Sequence, residues 1–176
     1  KAPGLILGSS NYVKKVVFPL EILPAIALGS AIFHTAISLL VLQFAYLVFT
    51  GMPPWTIVLA PFVFFPLAVL SLGVAWILAA LGVFLRDIGQ FIGVIITVLL
   101  FLSPIFFPME RLPEDYQFLI LLNPLTFIIE QAREVLIWGR LPDWKGLAVY
   151  TLFSTAFAWL GYAWFQKTRK GFADVL

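Results

Sequence analysis

The sequence predicts an all-α integral membrane fold, with four transmembrane helices and a short re-entrant helix pair between the last two. Composition is the first reason. Of 176 residues, 62% are hydrophobic and 11% charged, against roughly a quarter charged in ordinary soluble domains. A soluble fold of this size leaves too much surface in water to hide that apolar share, so lipid must be part of the solvent. Segmentation is the second reason: runs of bilayer length without charge are separated by Pro, Gly and Lys/Arg clusters.

A helix needs about 20 apolar residues to cross the roughly 30 Å hydrocarbon core. The first expected span covers about 22–49 and is ended by Gly51 and Pro53-Pro54. The second covers about 55–85. It contains Pro61, Pro66, Gly73 and Gly82, so kinks are expected in its first half. The third covers about 91–107 and stops at Pro104 or Pro108. The fourth covers about 147–165, where Lys167, Arg169 and Lys170 close it.

The expected re-entrant pair covers about 113–138. Phe118 to Leu122 is apolar, Asn123-Pro124 follows, and then comes LTFIIEQAREVLIW. Asn123 suits a helix N-cap and Pro124 the first helical position. The helix after them is amphipathic. Leu125, Ile128, Ile129, Ala132 and Leu136 share one face, with Glu130, Arg133 and Glu134 elsewhere. Re-entry is favoured over one flat interfacial helix, because both halves are apolar yet too short to cross.

Orientation follows from Lys and Arg. With four spans, one side holds Lys1, Lys14, Lys15, Arg86, Lys167, Arg169 and Lys170; the other holds Arg111, Arg133, Arg140 and Lys145. Seven against four makes the first side cytoplasmic, so both ends of the chain are expected there. The stretch from Pro108 to Lys145, with six acidic residues, then faces outward.

Several chemistries are excluded. There is no cysteine and a single histidine, His34, so disulfides are out and no metal site is expected. The phosphate-cradling pattern G-x-x-x-x-G-K-[ST] and the nucleophile elbow do not occur. A net charge of +2 gives no reason to expect nucleic acid as a partner. No carboxylate lies inside a span, which argues against a proton- or sodium-driven carrier. Glu110, Glu114 and Asp115 read as a solvated acidic loop. Ser30, His34 and Ser38 recur at helical spacing; interhelical packing, with Ala27, Ala31 and Thr35 allowing close approach, is preferred over a pathway lining. Arg86-Asp87 marks a tight turn with Asp87 as a helix cap, or a contact to a cytoplasmic partner. The residues before the first span, SNYVKKVVFPLEILP, are expected to form a short amphipathic helix on the membrane surface, with a plain basic anchor as the alternative. The opening residues lack signal-peptide features and there is no initiator Met, so a start within a longer protein is expected.

NYVKKVVFPLEILP, FLRDIGQ, SPIFFPMERLPEDYQFLILLNPLTFIIEQAREVLIWGRLPDW and the closing tail, in this order, resemble the membrane subunit of type-2 ABC exporters. The nearest branch exports O-antigen, capsular or teichoic-acid polysaccharides in bacteria. The resemblance implies that residues 1–176 are the C-terminal part of one such transmembrane domain, with the family's third to sixth helices present. It implies no enzyme activity in this chain, and no cofactor beyond ATP and Mg in a separate cytoplasmic ATPase. It implies a second copy of the permease, membrane lipid and a lipid-linked glycan as partners, in the bacterial inner membrane. Asn11, Tyr12, Lys14, Lys15 and Phe18, with Arg86 and Asp87, would couple to the ATPase. Pro108, Asn123, Pro124, Glu130 and Arg133 would shape the re-entrant turn and channel exit. Aromatic rings stack on apolar sugar faces, and Phe101, Phe106, Phe107, Tyr116, Phe118 and Trp138 cluster toward the outer side. Against that, Trp and Tyr enrich at any membrane interface.

Two other functions stay in view. A type-2 exporter of drugs or small lipophiles would show a closed lateral pocket instead of an aromatic tunnel. A membrane-embedded enzyme for polyprenyl-linked sugars would need convergent carboxylates, and the spans supply none.

Overall fold

A computed structural model describes residues 2–6, 8, 19–85, 87–104 and 123–172. Helix α1 spans Ile22–Phe49, α2 Ala60–Phe84, α3 Ile88–Phe101, α4 Pro124–Arg133 and α5 Trp144–Thr168. A 3₁₀ turn, Trp55–Leu59, leads into α2, and α4 continues as a π-helical turn over Glu134–Trp138. Short 3₁₀ turns cover Ala2–Gly4 and Arg169–Gly171. The described residues contain no strand.

Among the described residues, three helical stretches are long and apolar enough to cross a bilayer: Ile22–Phe49, Trp55–Phe84 and Trp144–Gly171. Two match the expected first and second spans within a residue, and the last extends the expected 147–165 at both ends. This is a multi-pass membrane protein. The expected third span is shorter than the sequence reading. Helix α3 has 14 residues, about 21 Å at 1.5 Å per residue, and does not reach bilayer length. Pro104 is the physical reason for the stop, since proline lacks an N–H and collides with the preceding turn. The remainder of that span, 105–107, lies outside the described residues. The expected kinks resolve differently too. Pro61 sits in the first turn of α2, where its missing N–H costs nothing. The helix runs on unbroken through Pro66, and the irregular backbone is the 3₁₀ turn before it.

Helices α2 and α5 form the core pair, and they run parallel. Near their starts, Ala60, Val63 and Leu147 share a cluster with Ile128, Val135 and Leu136. Near their ends, Ala79, Ala80, Val83 and Phe165 share another with Ile6, Leu20 and Phe172. Between the clusters the backbones nearly touch. A Cβ on Gly161 would lie 2.5 Å from the Gly73 carbonyl oxygen, and one on Gly73 would lie 2.7 Å from the Ala158 Cα. Small residues permit this approach, and in lipid, dispersion from close packing replaces the hydrophobic drive between helices.

Contacts at the two ends establish which segments lie together. At one end, Arg169 pairs with Glu21 at 2.8 Å, and the Trp76 indole donates to the Glu21 carbonyl at 3.0 Å. The start of α1 and the ends of α2 and α5 therefore share one side. At the other end, the Thr56 hydroxyl donates to the buried Val135 carbonyl at 2.6 Å. That carbonyl is free because the N–H groups of Gly139 and Arg140 both turn to Glu134. Gly139 adopts φ 67° to make the turn, a conformation glycine takes without strain. Thr56→Val keeps the shape and orphans the carbonyl; a loss of about 1 kcal/mol is expected, read as a lower midpoint of detergent denaturation.

Most of the exposed tryptophans lie at two levels, with Trp159 between them. Trp144 and Trp164 are both exposed and lie 20 residues apart on α5, about 30 Å along the axis and equal to the hydrocarbon thickness. Trp55 and Trp138, also exposed, lie at the Trp144 end. Indole rings favour this headgroup level. Helix α1 packs little against the rest. Ser30, His34 and Ser38 all face away from the other described helices, as do Ala31 and Thr35; the Thr35 hydroxyl bonds back to its own Ala31 carbonyl at 2.9 Å.

Candidate functional site: the junction of α3 and α4

The chain before Pro104 and the chain after Asn123 meet in a small polar junction. The Ser103 hydroxyl closes the end of α3 by donating to the Leu99 carbonyl at 2.6 Å. Asn123 has the extended backbone of an N-cap (φ −74°, ψ 120°), and its Oδ1 accepts from the Leu125 N–H at 2.9 Å. Pro124 follows as the first helical residue, where no donor is lost. The Nδ2 of Asn123 donates to the Ser103 Oγ at 2.9 Å and to the Leu99 carbonyl at 3.2 Å. Asn123 and Ser103 are 4% and 0% exposed, so this pairing matters: a buried amide left unmatched costs about 1–3 kcal/mol per group. The end of α3 and the start of α4 are thus tied by one side chain.

Arg133 makes a second tie at the far end of α4. It pairs with Glu130 at 2.8 Å and donates to the Pro104 carbonyl. On its other flank α4 is held by apolar packing. Ile128, Val135 and Leu136 lie against Ala60, Val63 and Leu147. The Phe127 ring stacks on Tyr150 with centroids 5.9 Å apart, and the Tyr150 hydroxyl donates to the Pro124 carbonyl at 2.8 Å. The level of the junction follows from these partners. Tyr150 lies six residues into α5 beyond Trp144, about 9 Å. Ser103 lies 15 residues along α3 from Ile88, about 22 Å, short of the 37 Å or so that the 25 residues of α2 cover. Helix α4 therefore starts inside the apolar thickness and ends at the tryptophan level, beside Pro54 and Thr56.

Of the residues expected to form the turn and exit, Asn123, Pro124, Glu130 and Arg133 are brought together here, and Pro108 lies outside the described residues. Of the stacking candidates, Phe101 and Trp138 are exposed on separate elements with no ring contact between them; Phe106, Phe107, Tyr116 and Phe118 lie outside the described residues. So do Asn11, Tyr12, Lys14, Lys15, Phe18 and Arg86. Asp87 occupies the position before α3, but its side chain makes no capping bond, which corrects the expected cap. Its backbone is already helical (φ −84°, ψ −5°), whereas a capping side chain needs an extended residue to fold back. Sequence reasoning missed Ser103, Thr56 and Tyr150. Ser103 carried one signal, its place before Pro104; the other two carried none, because their partners are distant in sequence. Among the described residues no three His, Cys, Asp or Glu side chains converge.

The profile of the ABC-2 type transporter family matches residues 2–137, more than half of the chain. The chain belongs to the ABC-2 type transporter family. The match takes in α1 to α4 with both ties of the junction, and ends within the π turn. Among curated relatives, the chain is 25% identical over 166 residues to the O-antigen export system permease protein RfbA of Myxococcus xanthus, covering 93% of this chain and 64% of that protein. It is 25% identical over 175 residues to RfbA of Klebsiella pneumoniae, covering 97% and 66%. It is 28% identical over 104 residues to the polysialic acid transport protein KpsM of Escherichia coli, covering 59% and 40%. The ABC-2 chain described here thus spans just under two thirds of the O-antigen export relatives.

Proposed function

We propose that this chain is part of the membrane subunit of an ATP-driven exporter that moves lipid-linked polysaccharide across the bacterial inner membrane. The observation that carries the reading is the likeness, along nearly the whole chain, to proteins named for O-antigen export, joined by one named for polysialic acid transport. On this reading residues 1–176 are the C-terminal part of the transmembrane domain and a separate cytoplasmic ATPase binds ATP and Mg. A second copy of the permease completes the channel. Both ends of the chain lie on the cytoplasmic side, where Lys14, Lys15, Arg86 and Asp87 meet the ATPase.

In this scheme α4 is one half of the re-entrant pair; the other half, about 113–122, lies outside the described residues. The buried cap at Asn123 supports that, because non-helical backbone at membrane depth needs its polar groups satisfied by protein. The Arg133 bond to the Pro104 carbonyl and the Asn123–Ser103 bond hold α4 to the end of α3, so a movement of α3 would be carried to the outer end of α4. Exposed Phe101 and Trp138 supply faces for sugar rings.

The test is a chromosomal deletion of the gene in its own bacterium. Surface polysaccharide is expected to vanish while its lipid-linked form accumulates on the cytoplasmic face, with recovery when the gene is returned. Normal surface glycan together with new sensitivity to lipophilic drugs would overturn the reading in favour of a drug exporter.

A further inference from the structure

We propose that the groove between α4 and α5 binds an anionic phospholipid, with its phosphate at Lys145 and one acyl chain along Phe127, Val149 and Phe153. The inference does not depend on what the protein exports. The groove has a volume of about 540 Å³ and is lined by Phe127, Lys145, Gly146, Val149, Tyr150 and Phe153. It lies on the face of α5 turned away from α2. Leu147, Ser154, Ala158 and Gly161 are buried toward that partner, while Val149 and Phe153 are 70% and 59% exposed.

The floor is built by a missing side chain. A Cβ on Gly146 would come within 2.6 Å of the Phe127 ring, so glycine lets that ring lie against α5 and stack on Tyr150. The Tyr150 hydroxyl is already engaged by the Pro124 carbonyl. The floor therefore offers apolar surface and no unmet polar group, which suits a hydrocarbon chain. At the mouth stand the Lys145 ammonium and the exposed Asp143 carboxylate, whose Oδ2 would lie 2.6 Å from a Cβ on Gly146. Lys145 is exposed, and among the described residues its ammonium forms no ion pair. The neighbouring Asp143 carboxylate caps α5 by accepting from the Lys145 backbone N–H at 3.1 Å.

The bilayer frame selects the occupant. Lys145 follows Trp144 and so sits at headgroup level. Phe153 lies eight residues deeper, about 12 Å into the hydrocarbon. A phospholipid presents an anion and an acyl chain at those two levels in one molecule.

The complete permease complex would be reconstituted in nanodiscs of phosphatidylcholine containing a minority of phosphatidylglycerol, with the photo-crosslinker p-benzoylphenylalanine replacing Phe153. Mass spectrometry of the adducts is expected to give phosphatidylglycerol enriched over its share of the bilayer. Lys145→Gln is expected to reduce that enrichment about five-fold, the worth of one lysine at an anionic surface. Val149→Trp, at an exposed position that tolerates bulk, should fill the groove and remove lipid adducts. Adducts with a second protein chain, or phosphatidylglycerol labelling unchanged by both Lys145→Gln and Val149→Trp, would overturn the proposal.

Discussion

Replacing Asn123 and Pro124 together by leucine is expected to leave an inserted protein whose export is severely reduced. The double change gives a run from Phe118 to Ile129 that is apolar except for Thr126, with no residue to stop or start a helix. It also removes all three hydrogen bonds of the Asn123 side chain. One of these is the cap of α4, worth about 1 kcal/mol. The other two are lost from the Ser103 hydroxyl and the Leu99 carbonyl, which keep only their bond to each other, at about 1 kcal/mol or more. The summed cost, about 2–3 kcal/mol, falls on the link between α3 and α4, while α2 and α5 keep their own contacts. Insertion, judged by membrane fractionation and helix content, should therefore persist. A helix lying flat at the interface would not need the break and would lose far less. Surface polysaccharide near the normal level in Asn123→Leu/Pro124→Leu cells would refute both the re-entrant geometry and the role of these residues at the exit.

Gly161→Val should be among the most destabilising single changes in the chain. Its Cβ would stand 2.5 Å from the Gly73 carbonyl oxygen, an atom of the opposing backbone that no rotamer change can move. The α2–α5 pair would have to separate along the whole contact, weakening the clusters at both ends. Overpacking of this kind costs about 1–3 kcal/mol, and the upper end is expected here because backbone meets backbone. Gly29→Ala serves as the control, since nothing lies within 4 Å of a Cβ at that site on α1 and alanine is the better helix former. Detergent denaturation should separate the two variants clearly. A Gly161→Val midpoint equal to that of Gly29→Ala would mean that α2 and α5 are not in contact at Gly73.

Hydropathy located the boundaries of α1 and α2 well because Gly51, Pro53 and Pro54 end one run and the charged turn at Arg86-Asp87 ends the other. It misjudged where α3 starts and left its stop open between Pro104 and Pro108, for one reason. The apolar run begins at Phe91 and continues past Pro104, but a helix is delimited by backbone hydrogen bonds. Gln90 donates its N–H to Asp87 and belongs to the helix despite its polarity, whereas Pro104 stops the helix despite the apolar residues that follow. Asn123-Pro124 was legible because cap and first-turn chemistry are local to two residues.

What the sequence determined by itself was therefore everything governed by composition and short-range order. It set the solvent as lipid, the length of the first two spans, the return of the tail to the side on which α1 begins, and the start of α4. Only the tertiary structure decided who meets whom. Glu21 and Arg169 pair across 148 positions of sequence, Thr56 finds Val135 across 79, and Asn123 finds Ser103 across 20. Inside lipid, almost any apolar face suits any other, so hydropathy carries no address. The address lies in the few small residues that let backbones approach and the few polar groups that must find a partner away from water, and these act only once helix rotation and register have brought them together.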